Sequence, residues 1–231
     1  RMIKRYKLVP LLLLLIGLNL AIIFIMPQFR FQYIVLHHSA SWTANYDTIR
    51  KQHRGRGWRD AAYHLILSNG STQVPLGHLE ATSRYRFLSY SLATRSGRCN
   101  LLGVHLSVVG NYHEKPMPDG VKACLGHALR SLQRKYDIQT GNILFHKDCS
   151  PTACPGQFIT KKEVTDWIGP LVDQCPQDIQ KQQDEVIDQA RYSIWTFPKT
   201  ILLVAFGLSV FTSVLWLLFM NRRNRAGVSY E

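Results

Sequence analysis

Two places in this sequence end an apolar run in groups that bind metals. Residues 33–40 read YIVLHHSA and residues 144–156 read LFHKDCSPTACPG. Zinc accepts imidazole nitrogen and thiolate sulfur, and a catalytic zinc site uses three protein ligands with one position left for water. His37 or His38, together with His146 and Cys154, supplies such a set. Each lies at the end of an apolar strand pattern or in the loop after it, where side chains from different elements converge. Pro151 and Pro155 stiffen the loop that carries Cys154. The chain has nine histidines, so some pairings arise by chance, and a disulfide at Cys154 would dissolve the set.

The elements that must position these groups follow from pattern. FQYIVLHH is a β-rich run and is expected as an interior strand with the histidines at its end. Ser41 or Thr43 is expected to cap a short helix running to Lys51, which RGRG then breaks. AAYHLILSNGSTQVPL is expected as a strand, a turn at Asn69-Gly70 and a second strand. The segment 77–100 lacks periodicity and is rich in Ser, Arg and Tyr, so it is expected as a long surface loop, a candidate docking surface. LLGVHLSVVG is another strand. From Asp119, a plausible cap, Val121, Leu125, Leu129, Leu132 and Tyr136 recur on one side of a helix. GNILFH is a short strand ending at His146, and Ile159 to Leu171 is a final helix closed by Pro170. Strands alternating with helices imply an α/β domain.

The flanks are unlike this middle. Leu8 to Met26 and Ile201 to Met220 run nineteen and twenty residues without a charge, enough for a helix to span a hydrocarbon core of about 30 Å. The first is expected as an uncleaved anchor rather than a signal peptide, since no small-x-small cleavage site follows it. Arg1, Lys4, Arg5 and Lys7 precede the first span, and Arg222, Arg223 and Arg225 follow the second. Positive flanks stay cytoplasmic, so both termini are expected inside and the middle outside an inner membrane, on the periplasmic side. The expected layout is a cytoplasmic N-terminus and span at 1–30, a domain at 31–172, a stalk at 173–199, a second span at 200–221 and a cytoplasmic tail at 222–231. The stalk is Gln- and Asp-rich and turns amphipathic near Tyr192, Trp195 and Phe197; the alternative is an ordinary helix packed on the domain.

Residues 31–198 carry nineteen Lys and Arg against fourteen Asp and Glu, out of a whole-chain net charge of +13. This mild excess suits an anionic polymer or a membrane surface, and no aromatic-basic stripe marks a nucleic-acid interface. All five cysteines fall in the segment expected outside, where disulfides form. With Cys154 committed to a metal, Cys99, Cys124, Cys149 and Cys175 allow two bridges in three pairings, and sequence does not choose among them.

Several motifs in order resemble the N-acetylmuramoyl-L-alanine amidase type 2 family, which includes the T7 lysozyme type of enzyme and the animal peptidoglycan recognition proteins. They are YIVLHHSA, IRKQHRGRGWRDAAYHLILSNG, LLGVHLSVVGNYHEKPMPDG and LFHKDCSPTACPG. The likeness covers about 33–171 and neither span. It implies a mixed central sheet flanked by helices and a zinc ion held by His37, His146 and Cys154. It implies that Tyr63 positions or stabilises the substrate carbonyl and the attacking water. Two positions depart from the pattern. The family's frequent lysine two residues before the cysteine is Thr152 here, as in some animal members with amidase activity. An acidic residue that some relatives carry in the central strand is His105 here. The resemblance implies cleavage of the amide between N-acetylmuramic acid and L-alanine in peptidoglycan, with Tyr63 and Thr152 donating to the developing oxyanion and Tyr63, His64 or His105 protonating the leaving amine. His64, facing away from Tyr63 in a regular strand, is expected to be structural, and His38 to support a ligand. The competing expectation is a non-catalytic peptidoglycan-binding or structural subunit of a membrane protein complex, since one anchor would suffice for a lytic enzyme.

Overall fold

The computed structural model describes residues 31–190 and, beyond them, Gly207. The two apolar segments expected as spans lie, Gly207 apart, outside the described residues. Among the described residues no helix is long and apolar enough to cross a membrane.

Five strands form one mixed sheet in the order β3-β2-β4-β1-β5. β1 (Tyr33–His38) runs parallel to β4 (Gly103–Val108) on one side and to β5 (Ile143–Phe145) on the other. β2 (Leu65–Leu67) is parallel to β4 and antiparallel to the edge strand β3 (Leu79–Ala81). Side chains alternate across a strand. Ile34 and Leu36 of β1 and Val104, Leu106 and Val108 of β4 therefore enter the main core. Val35, His37, His105 and Ser107 take the other parity. The strands are buried apart from Tyr33, Glu80 and Leu144, which are half-buried, because helices cover both faces, as parallel strands require.

The main core is closed by α4 (Asp119–Tyr136), whose expected stripe Val121, Leu125, Leu129, Leu132 and Tyr136 is wholly buried. Each such side chain contributes roughly 1.5–3 kcal/mol of hydrophobic stabilisation. α6 (Lys161–Ile168) adds Val164 and Trp167 to this core. Its N-terminus is fixed by a capping box between Thr160 and Glu163. On the opposite face α1 (Tyr46–Arg54) contributes Ile49 to a small cluster with Ala44, Ala61, Ile66 and Val109.

Several boundaries differ from the sequence reading, each for a local reason. α1 starts at Tyr46, because Asn45 and Thr48 form a reciprocal capping box that neither Ser41 nor Thr43 makes. Leu65–Leu67 does not turn back at Asn69-Gly70. The strand that returns is Leu79–Ala81, and Ser68 instead accepts at its hydroxyl from Gly70 N while donating to the Val74 carbonyl. The expected long loop holds β3 and two short helices, α2 (Ser83–Arg86) and α3 (Gly97–Leu102), capped by Thr82 and Ser96. His146 opens a short helix, α5 (His146–Cys149), rather than ending β5. Pro170 starts a 3-10 turn, Pro170–Gln174, after α6 has ended.

Residues 177–190, expected within the stalk, form a helix (α7) that packs on the domain. Ile187 and Ala190 join the main core. Gln183 donates to the carbonyls of Gly77 and Cys124 at 2.6 and 3.1 Å. Gln182 pairs with the outer edge of β3: Leu79 N donates to its Oε1 at 3.0 Å, and its Nε2 donates to the Leu79 carbonyl at 2.8 Å. The cysteines pair Cys99–Cys149 and Cys124–Cys175, and Cys154 is free and buried.

Candidate metal centre

The ends of two parallel strands bring the first ligands together. β1 and β5 are in register through Leu36 and Phe145, so His37 and His146 follow side by side at the carboxyl ends of adjacent strands. That end of an open α/β sheet is where such folds place ligand sites. The two rings lie 4.6 Å apart between centroids. The chain leaves α5, turns through Pro151 and Pro155, and comes back to the same place, where Lys147 N donates to the Cys154 carbonyl at 3.0 Å. The donor atoms of His37, His146 and Cys154 all lie within 4.8 Å of one another, the one His, Cys and acid cluster among the described residues that could hold a metal.

Gly156 explains why the turn after Cys154 takes the form Cys-Pro-Gly. Its φ is +111°, and a Cβ there would sit 2.3 Å from the backbone of Tyr112. Only glycine lets this loop lie flat on the segment after β4. The same segment holds His38, whose Nδ1 accepts from Tyr112 N at 3.1 Å. His38 has the opposite strand parity from His37 and lies outside the cluster of His37, His146 and Cys154. Its backbone N–H instead points at Cys154 Sγ, 3.4 Å away.

The centre is neutral. Burial first, and then the charges of His105 and His146, hold His37 well below the ordinary imidazole value. Burial lowers His146 as well, and burial with His113 and His146 lowers His38 to about 4. Burial pushes the Cys154 thiol up to about 12, against the pull of the His38 N–H. Two neutral imidazoles and a thiol thus face one another, and among the described residues no cation pulls the thiol down. A divalent cation among them would supply the missing charge.

Tyr63 joins the group. Its ring lies 5.0 Å from that of His37, and burial followed by the Cys154 charge raises its hydroxyl above the usual phenol range. The Ser107 hydroxyl adjoins it, wholly buried, without making a hydrogen bond of ordinary geometry. His53 packs against Tyr63 and Trp58, its Nδ1 accepting from Ala62 N at 3.0 Å, so the end of α1 braces the tyrosine. Thr152 is exposed on the ligand loop, and its hydroxyl oxygen accepts from Cys154 N at 3.2 Å.

His105 is placed differently from the expected catalytic role. It has no exposed surface, its Nε2 lies 2.9 Å from the Cys99 carbonyl, and its Nδ1 lies 3.0 Å from His37 Nε2. Both ring nitrogens are engaged behind His37, because the two side chains share one face of the sheet and His105, paired with Val35, sits two residues back from the strand end that carries His37. His64 also has both ring nitrogens occupied: Nε2 donates to the Ser89 carbonyl at 2.7 Å and Nδ1 accepts from His105 N at 2.9 Å. The carbonyl of Cys99 and the N–H of His38 are functional groups no side-chain motif announces. The pairing of β1 with β4 is the signal that would have found the first.

Residues 27–157, more than half of the chain, match the family described as N-acetylmuramoyl-L-alanine amidase. Among solved structures, the chain is similar to the N-acetylmuramoyl-L-alanine amidase LysC from Clostridium intestinale, at 22% identity over 61% of this chain and 87% of that one, with a TM-score of 0.49. It is similar to bumblebee PGRP-SA at 17% identity over 60% and 83% of the two chains, with a TM-score of 0.48. Drosophila PGRP-LB aligns at 17% identity over 60% and 81%, with a TM-score of 0.46. No curated protein matches.

Proposed function

The chain belongs to the N-acetylmuramoyl-L-alanine amidase family, and on that footing we propose that it is a zinc-dependent hydrolase cleaving the amide between N-acetylmuramic acid and L-alanine in peptidoglycan. The observation that carries this reading is the convergence of His37, His146 and Cys154 to within 4.8 Å. Two nitrogens and a sulfur, from a strand end, the start of a short helix and the loop after it, with no fourth donor in the cluster among the described residues, suit zinc better than the oxygen-seeking calcium or magnesium. Zinc held by these three residues would supply Lewis acidity toward an amide carbonyl and toward water.

The remaining chemistry belongs to the chain. Tyr63, kept protonated by burial, donates its hydroxyl proton toward the oxygen where negative charge develops. Thr152 has its oxygen fixed on Cys154 N, which leaves its own proton free to point at the same charge. Of the groups considered for protonating the leaving amine, His64 and His105 have both ring nitrogens committed elsewhere, which leaves Tyr63. Buried main-chain and ring contacts around His37 keep water off the back of the site.

The apolar segments at Leu8–Met26 and Ile201–Met220, with basic residues outside each, support an anchored enzyme whose domain faces the periplasmic side. Reporter fusions at each terminus test that topology: both should read as cytoplasmic.

The decisive experiment measures zinc content and muropeptide cleavage together, on wild type and His146→Ala. Wild type should hold one zinc and release peptides beginning with L-Ala, and the variant should lose both. A folded, zinc-loaded wild type that releases nothing across the pH range overturns the hydrolase reading in favour of a peptidoglycan-binding or structural subunit.

A further inference from the structure

A histidine that binds a metal through one nitrogen must carry its proton on the other. His37 offers Nδ1 to the cluster, since that atom lies 3.9 Å from Cys154 Sγ. Its Nε2 lies 3.0 Å from Nδ1 of His105. The direction of this contact is set one residue further back. His105 Nε2 lies 2.9 Å from the carbonyl of Cys99. A carbonyl only accepts, so His105 Nε2 carries a proton and its Nδ1 is left as the acceptor. His37 Nε2 must then be the donor, and His37 Nδ1 is left with a bare lone pair. The reverse arrangement, with the proton on His37 Nδ1, would leave two acceptor nitrogens facing each other at Nε2 and Nδ1.

The residue that starts this relay also holds the second ligand. Cys99 is disulfide-bonded to Cys149, the last residue of α5, and α5 begins at His146. One residue of α3 thus touches both ligand-bearing elements, His37 through its carbonyl and His105, and His146 through its sulfur. α3 itself is fixed to the sheet. Gly103, directly after it, has no Cβ because one would lie 2.5 Å from the Cys99 carbonyl and 3.2 Å from His105 Nε2. Glycine is what allows the carbonyl to reach the ring. Arg95 N also donates to Ser150 Oγ at 2.7 Å, a second tie between the approach to α3 and the ligand loop.

We infer that His105 and Cys99 are positioning residues of the metal centre: the Cys99 carbonyl orders His105, His105 fixes His37 as an Nδ1 donor, and the Cys99–Cys149 bridge holds the His146 helix to the same anchor. The inference rests on the zinc reading above, but not on catalysis. It also gives His105 a different task from a carboxylate at this place. A neutral imidazole orients the ligand without adding negative charge behind it.

The test is zinc affinity by chelator competition on the full chain, with cobalt substitution to report ligand geometry by visible absorption. His105→Leu keeps an apolar side chain in the space but neither donates nor accepts. It should weaken zinc about ten- to a hundred-fold, as loss of an outer-shell partner does, and alter the cobalt bands. His105→Gln offers one acceptor and one donor, and should recover most of the affinity. The double variant Cys99→Ser/Cys149→Ser keeps the Cys99 carbonyl but cuts the clamp, and should also weaken zinc. Cys124→Ser/Cys175→Ser removes the other disulfide and should leave zinc affinity within about twofold, which separates positioning from general loss of stability. If His105→Leu fails to fold, the two disulfide variants decide. Equal affinity in all variants, or equal loss in both disulfide variants, overturns the inference. Wild type that binds zinc but cleaves nothing removes the amidase reading and leaves this one standing. Wild type that binds no zinc removes both.

Discussion

Acid should unfold this domain through histidines that the fold can only hold neutral, and His64 gives the cleanest measure. It has no exposed surface. Its Nε2–H donates to the Ser89 carbonyl, and its Nδ1 takes the N–H of His105, so the acceptor nitrogen has no room for a second proton. Burial is the chief cause that lowers its pKa from 6.5 to about 4, with the Arg84 charge adding to it and the Ser89 carbonyl opposing. A depressed imidazole pKa means that protons favour the unfolded chain. The stability this group contributes is complete above pH 6.5 and is lost as pH falls from there through about 4. With about 1.36 kcal/mol per pKa unit, the loss by pH 4 is about 3 kcal/mol from this side chain alone. The perturbation is His64→Gln, which offers one donor and one acceptor but does not titrate. Unfolding free energies from urea titrations of the metal-free full chain, at neutral pH and near pH 4, give two differences. Wild type should fall by at least about 3 kcal/mol more than the variant, because the other buried histidines titrate in both and His37 and His105 are lowered further by the His64 charge in wild type alone. Equal falls would refute the claim that the fold excludes the proton at this site.

Three further outcomes follow from the same contacts. Replacing Cys124 and Cys175 with alanine opens a loop of sequence separation 51 and should lower stability by about 4 kcal/mol on loop entropy, seen as a fall in Tm of roughly 8–16 °C. Gly156→Ala forces a Cβ against the Tyr112 backbone at a φ of +111°. It should lower stability by at least about 2 kcal/mol and weaken zinc, both measurable by thermal unfolding with and without the metal. Tyr63→Phe keeps the ring against His37 and loses only the hydroxyl, so zinc binding should persist while kcat for muropeptide cleavage drops about 100- to 1000-fold.

The parts of this molecule that repeat were readable from sequence. The α4 stripe is five residues at helical spacing, and the strands that lead to His37 and His146 carry dense apolar runs. The candidate cluster of His37, His146 and Cys154 was readable because these residue types are rare and their order resembles a family's, and the fold brings the three together. The choice of His37 over His38 has a plain physical basis in strand parity, although the resemblance reached it first. What was not legible depends on contacts far apart in the chain. The bridge from Cys99 to Cys149 and the turn of His105 away from the open side both depend on where α3 lands on the sheet. For 177–190 the sequence left both a stalk and a helix packed on the domain open, and the choice depends on Gln182 and Gln183, polar residues whose partners are backbone groups on β3 and its neighbours. A Gln-rich run reads as solvent-exposed until those backbone groups are known to be there.

Gln182 has one more effect. A short margin strand ordinarily leaves its peptide groups open to recruitment by any extended chain that drifts past. Here an amide side chain mimics a neighbouring strand for a single residue and occupies both the N–H and the C=O of Leu79. This border of the sheet is thereby capped from within at Leu79. Two copies crowded together on a surface could not zip through this border at Leu79 without first prying α7 from its seat.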